Sequence, residues 1–157
     1  MNLSFAVITC SDSRDIASDE AGKALLGLIK ERGWVCKSHS VVSDEQEAIE
    51  RELIRACDEE RVGIVLTCGG TGLSVRDVTP EATIAVCDRA VPGIAEAIRA
   101  KSLQITERAM LSRATSGLRS MTLIINLPGS TKAARESFGF AEDQLEHAIK
   151  MLHGGRH

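Results

Sequence analysis

Short, uncharged runs rich in β-branched residues alternate along this chain with longer stretches whose apolar positions recur every three or four residues. Phe5-Ala6-Val7-Ile8 lies in a strand expected over residues 3–9, and Ile64-Val65-Leu66 reads as a second continuous apolar strand. Residues 35–42 alternate more weakly, and residues 122–127 give a last clear strand. Between them, Ala21, Ala24, Leu25, Leu28 and Ile29 follow helical spacing up to a stop at Gly33, with Ser18 or Asp19 as cap. Ala48, Ile49, Leu53, Ala56 and Cys57 define a second helix ending near residue 60, which Ser43 and Gln46 open as a capping box. Thr79-Pro80-Glu81 opens a third, with Thr79 as N-cap, expected to run over residues 82–89. Pro92-Gly93 interrupts the chain before a helix over 94–103. Ser130 or Thr131 caps a helix through residue 138, and a final helix over 140–152 carries Leu145, Ala148, Ile149 and Leu152 on one face. The order βαβαβααβα predicts an α/β class, a three-layer α/β/α domain with a mostly parallel central sheet.

Length and composition narrow the function. A chain of 157 residues, 43% hydrophobic and 26% charged, is expected to form a single globular domain over 1–157. A net charge of −3 with no basic block, three Phe, one Trp and no Tyr argue against a nucleic-acid partner. No apolar run approaches a membrane span and no secretory leader is visible, so a cytoplasmic protein is expected. Five cysteines with no Cys-x-x-Cys indicate reduced thiols rather than disulfides or zinc. His39, His147 and His153 lack Cys or acid partners at ligand spacing, so solvated or packed histidines are expected.

The candidate chemistry sits in the loops after strands. Residues 67–81 pack Gly69, Gly70 and Gly72 with Thr71, Ser74, Arg76 and Asp77 between a strand and a helix start. Glycines admit positive φ and close approach of a ligand, and bare amides at a helix start bind anions. Arg76 suits a phosphate, and Asp77 suits a divalent cation or the orientation of a nucleophile. A plain glycine turn is the competing reading. The loop matches neither a Walker motif nor Gly-x-Gly-x-x-Gly. Cys10-Ser11-Asp12-Ser13-Arg14-Asp15 leaves the first strand and either lines the same crevice or is a solvated turn. Asp44 is either a first-turn acid, worth about 0.3–1 kcal/mol against the helix dipole, or a partner of Asp77 across the crevice. Ser112 lies in a small, polar stretch suited to a bend, and Pro128, Gly129 and Ser130 form a second strand-to-helix loop able to bind an anion.

The run from Cys68 to Thr83 resembles the signature of the Mog/MoaB family of molybdenum-cofactor biosynthesis proteins, which includes the G domains of gephyrin. Leu111-Ser112-Arg113 and Ile124-Ile125-Asn126-Leu127-Pro128-Gly129-Ser130 extend the resemblance to nearly the whole chain. It implies the family's three-layer fold with one late antiparallel strand, and homotrimers. It also implies Mg²⁺-dependent adenylyl transfer, in which AMP passes from ATP to the molybdopterin phosphate, pyrophosphate leaves, and a molybdenum-insertion step follows. The family's essential acids fall on Asp44 and Asp77, here also the implied metal ligands. The resemblance implies substrate contacts at Ser11, Asp12, Gly69, Gly70, Thr71, Gly72, Ser74, Arg76, Ser112, Pro128, Gly129 and Ser130.

Two departures stand out. Val75 occupies a place where many members carry Pro, and Ser130-Thr131-Lys132 is similar to the MoaB branch. Residues 75–80 are similar to the Mog branch and keep its acid. The alternatives are a non-catalytic molybdopterin-binding protein of MoaB type and a nicotinamide-cofactor enzyme, which would require a Gly-x-Gly-x-x-Gly that the first loop lacks.

Overall fold

The computed structural model describes residues 2–155. Strands β1 (Ser4–Cys10), β2 (Val35–Val42), β3 (Ile64–Cys68), β4 (Arg89–Ala90), β5 (Ser116–Arg119) and β6 (Thr122–Leu127) form one sheet in the order β2-β1-β3-β6-β5-β4. The first four of that order run parallel, and β5 is antiparallel to both β6 and β4. Along β1 the side chains alternate between two cores. Phe5 and Val7 pack beneath α1 (Glu20–Glu31), α4 (Pro92–Leu103) and α5 (Thr131–Leu152); Ala6, Ile8 and Cys10 pack beneath α2 (Gln46–Ile54) and α3 (Thr79–Val86). With both faces covered, β1, β3 and β6 are buried almost throughout, which is why they read as unbroken apolar runs. The expected three-layer α/β/α architecture is the one observed.

Several local expectations change. The chain forms one 22-residue helix, α5, where the pattern suggested two. Ala134, Phe138, Ala141, Leu145 and Ile149 make one buried stripe across Gly139, and burying such a stripe outweighs the roughly 1 kcal/mol a mid-helix glycine costs. α3 ends at Val86, because Arg89–Ala90 pairs with β5 to close the sheet edge. A two-residue strand has no periodicity of its own to announce it. α2 continues as a π-helical turn, Arg55–Glu59, and Glu107–Leu111 forms a 3₁₀ turn.

The caps divide in the same way. Asp19 accepts from Gly22 N and Ser130 from Ala133 N, as expected. The Ser43–Gln46 box does not form: Glu45 holds the cap position without a side-chain cap bond, and its carboxylate pairs with Arg76 instead. Nor is Thr79 the N-cap; that place falls to Val78, and Thr79 is fully buried in the first turn with its N–H donated to Gly70 O.

Because β1 lies between β2 and β3, successive connections leave it in opposite directions. The crevice at the carboxyl ends of β1 and β3 is therefore the topological switch point, where open α/β sheets bind ligands.

Candidate active site

Four loops meet at this crevice. They follow β1, β2, β3 and β6, and hydrogen bonds to backbone carbonyls tie them together. Ser11 N donates to Val42 O at 2.9 Å, Gly69 N to Leu127 O at 3.0 Å, and Arg14 Nη1 to Gly129 O at 2.8 Å. Gly69 has φ +94°, and a Cβ there would stand 2.7 Å from Cys10 O; Gly129 faces it, where an added Cβ would lie 3.2 Å from Gly69 Cα. Only glycine permits three strand ends to approach so closely. Gly70, at φ +70°, sits directly over Thr79 Oγ1.

The base of the β3–α3 loop is held by Arg113. Its Nε donates to Gly72 O at 2.8 Å and its Nη2 to Asp77 O at 2.6 Å, while its backbone N–H reaches Thr71 O at 2.8 Å. The guanidinium also forks onto Glu81, which holds that carboxyl below its ordinary pKa. Arg113 was visible in the sequence only as a neighbour of Ser112; its clamp on two carbonyls over 30 positions away becomes legible in three dimensions. Asn126 is likewise a positioning residue beneath the crevice. It is buried and satisfied, donating to Thr67 Oγ1 and Thr83 Oγ1 and accepting from Thr115 N.

Asp44 lies against Asp12, and the charge of Asp77 also reaches it. Asp12 N donates to Asp44 Oδ2 at 3.0 Å and Asp44 N to Asp12 Oδ1 at 2.9 Å, locking the β1 and β2 loops reciprocally. Partial burial raises the Asp44 pKa, and the charges of Asp12 and Asp77 raise it further. The Asp77 carboxylate accepts from Ser74 N at 3.1 Å, which turns the loop tip back on itself. Asp12 is held below the ordinary carboxyl range by the Asp44 N–H and by Arg76. Arg76 does not stand free for a phosphate: Nε and Nη2 fork onto Asp12, and Nη1 meets Glu45 at 2.8 Å.

Two buried polar atoms here have no hydrogen bond of ordinary geometry, Asp44 Oδ1 and Thr79 Oγ1. The second has the Cys10 thiol, a weak donor, beside it. The first is a hard oxygen donor in the field of Asp12 and Asp77, only partly offset by Arg76, which fits a divalent cation. Among the described residues no three His, Cys, Asp or Glu side chains converge as a ligand set. A cation held here would thus take the rest of its ligands from water and phosphate, the usual habit of Mg²⁺.

The other expected contacts separate from this group. Ser11 Oγ accepts from Ser13 N and Arg14 N and shapes its own turn. Ser130 Oγ is spent on its helix cap. Ser112 and Pro128 join Thr71 and Gly72 around an adjoining cavity of about 290 Å³ walled by α4 and α5. His39, expected to be solvated or packed with no acid at ligand spacing, is packed against an acid: Nε2 lies 2.6 Å from Oδ2 of buried Asp19, which also accepts from Thr9 Oγ1 at 2.5 Å. The partner is 20 positions away, beyond any local spacing rule. Burial raises the thiol pKa of both Cys10 and Cys68 to about 12, so neither is a nucleophile at neutral pH despite flanking the loops.

Residues 6–147 match a family described as "Probable molybdopterin binding domain". The chain is 38% identical over 154 residues to a protein named molybdopterin adenylyltransferase from Helicobacter pylori, covering 94% of this chain and 86% of the relative. It is 36% identical over 149 residues to molybdenum cofactor biosynthesis protein B of Bacillus subtilis, covering 93% and 88%. A crystal structure of a molybdenum cofactor biosynthesis protein B superposes with a TM-score of 0.93 at 34% identity over 98% of both chains. With a fold, a glycine cradle and a full-length match all in agreement, the chain belongs to the Mog/MoaB family of molybdopterin-binding domains.

Proposed function

We propose that this chain is a molybdopterin adenylyltransferase: a terminal phosphate oxygen of molybdopterin attacks the α-phosphorus of ATP, and the bond to the β-phosphate breaks to release pyrophosphate. The observation that carries this reading is the buried, unpartnered Asp44 oxygen within the field of Asp12 and Asp77 beside a glycine cradle. The name of the Helicobacter pylori relative supports it. The attacking phosphate is already anionic, so the protein need only position the reactants and neutralise charge; no activated Ser or Cys is required. Gly70, Thr71 and Gly72 offer backbone N–H groups and Ser74 its hydroxyl to phosphate oxygens, while Gly69, whose N–H is already given to Leu127 O, shapes the cradle; the cavity beside Ser112 and Pro128 receives an end group of one substrate. Asp44 and Asp77 would hold Mg²⁺, which would supply compensating charge to the leaving pyrophosphate.

The finer properties belong to the same proposal: ATP as donor, one functional domain, a cytoplasmic setting in which no described helix crosses a membrane, a downstream molybdenum-insertion protein, and a homotrimer. An apolar groove lined by Ile94, Ala97, Leu118, Phe140 and Met151 supports self-association. A second reading, a molybdopterin binder without transfer activity, rests on the family description, which names binding alone. Incubation with molybdopterin, ATP and Mg²⁺ separates the two. Adenylylated pterin and pyrophosphate are expected, with product lost in Asp77→Ala; tight pterin binding with neither product would establish the binder.

A further inference from the structure

Arg76 presents a conflict that the proposed reaction must resolve. All three faces of its guanidinium fork are engaged by carboxylates: Nε and Nη2 at 3.0 and 2.9 Å from Asp12, Nη1 at 2.8 Å from Glu45. The same donors are what a phosphate would need. The Asp12 carboxylate is meanwhile linked through backbone N–H groups to Asp44, whose buried Oδ1 has no partner.

Resting on the adenylyl-transfer reading, we propose that Arg76 is an exchangeable counter-ion: it competes with a divalent cation for the charge of Asp12, Asp44 and Asp77, and it gives up Asp12 and Glu45 for the phosphate of a nucleotide. Three features make the exchange easy. The side chains of Arg76, Asp12 and Glu45 are each about half exposed, so their ion pairs are held only weakly against water. The loop tip has nothing packed on it; Val75 is 93% exposed and Leu73 66%. The loop base, by contrast, is pinned by Arg113 to the carbonyls of Gly72 and Asp77, so the Arg76 side chain can swing away while that base stays fixed. When Arg76 leaves, the reciprocal bonds keep Asp12 and Asp44 in place. Nucleotide and metal then assist each other, since each removes what opposes the other.

Arg76→Gln tests this directly. Removing one positive charge beside the acids should tighten binding of Mn²⁺ alone, titrated by electron paramagnetic resonance, about three- to tenfold. Affinity for ATP in EDTA should fall about tenfold. Arg76→Lys keeps the charge without the fork, so its Mn²⁺ affinity should stay within about twofold of the parent protein while ATP affinity still falls. An Arg76→Gln protein whose Mn²⁺ affinity is unchanged or weaker, or whose ATP affinity is unchanged, overturns the exchange. AMP transfer by the unmodified protein, scored in the same preparation, tests the activity reading separately.

Discussion

Asp44→Asn should make the protein more stable and nearly inactive, and the two effects have one cause. The substitution keeps the side-chain shape: the amide oxygen can still accept from Asp12 N, and the amide nitrogen replaces the unpartnered Oδ1. It removes a negative charge that burial, Asp12 and Asp77 all oppose. The group is largely solvent-screened, so relief of that repulsion is worth only about 0.5–1 kcal/mol. For a domain of this size that is a rise in Tm of about 1–4 °C. The pH dependence follows from the sign of the shift. The folded-state pKa of Asp44 lies above its unfolded value of 3.8, so the destabilisation is complete above the folded pKa and disappears as pH falls toward 3.8. The Tm advantage of Asp44→Asn is therefore present at pH 7 and vanishes near pH 4. Adenylyl transfer should fall at least about 100-fold, since the carboxylate oxygen proposed to hold Mg²⁺ is gone. Calorimetry across pH 4–8 together with a pyrophosphate-release assay reads both effects. A drop in Tm at neutral pH would show that the carboxylate is a structural group, and retained activity would remove it from the reaction.

Two further outcomes follow from the loop. Gly70→Ala places a Cβ 2.2 Å from Thr79 Oγ1 at a φ of +70°, so left-handed strain and overpacking together should cost about 2–4 kcal/mol in thermal or urea unfolding; a loss below 1 kcal/mol would mean that the loop yields freely. Arg113→Lys keeps the charge but cannot reach the carbonyls of Gly72 and Asp77 and the Glu81 carboxylate together, so kcat/KM for ATP should fall about 10- to 100-fold with little change in the circular dichroism spectrum; an unchanged kcat/KM would show that the clamp does not position the cradle.

The sequence by itself determined the layers and the places where chemistry gathers. Apolar runs such as Phe5-Ala6-Val7-Ile8 and Ile64-Val65-Leu66 are strands because a sheet buried on both faces demands them, and that demand is written locally. The same holds for Gly69 and Gly70, whose positive φ is a property of single residues, and for Asp44, just beyond a strand end, and Asp77, just before a helix start. Tertiary structure decided what depends on partners far along the chain. Arg76 meets Asp12 across 64 positions, Arg113 meets Gly72 across 41, and Asp19 meets His39 across 20; no periodicity encodes such pairs. Packing also joined two expected helices into α5 and turned Thr79 from a cap into a buried wall beneath Gly70. Local patterns choose elements because backbone geometry repeats every two or 3.6 residues, whereas a hydrogen bond between loops exists only once the sheet has set their distance.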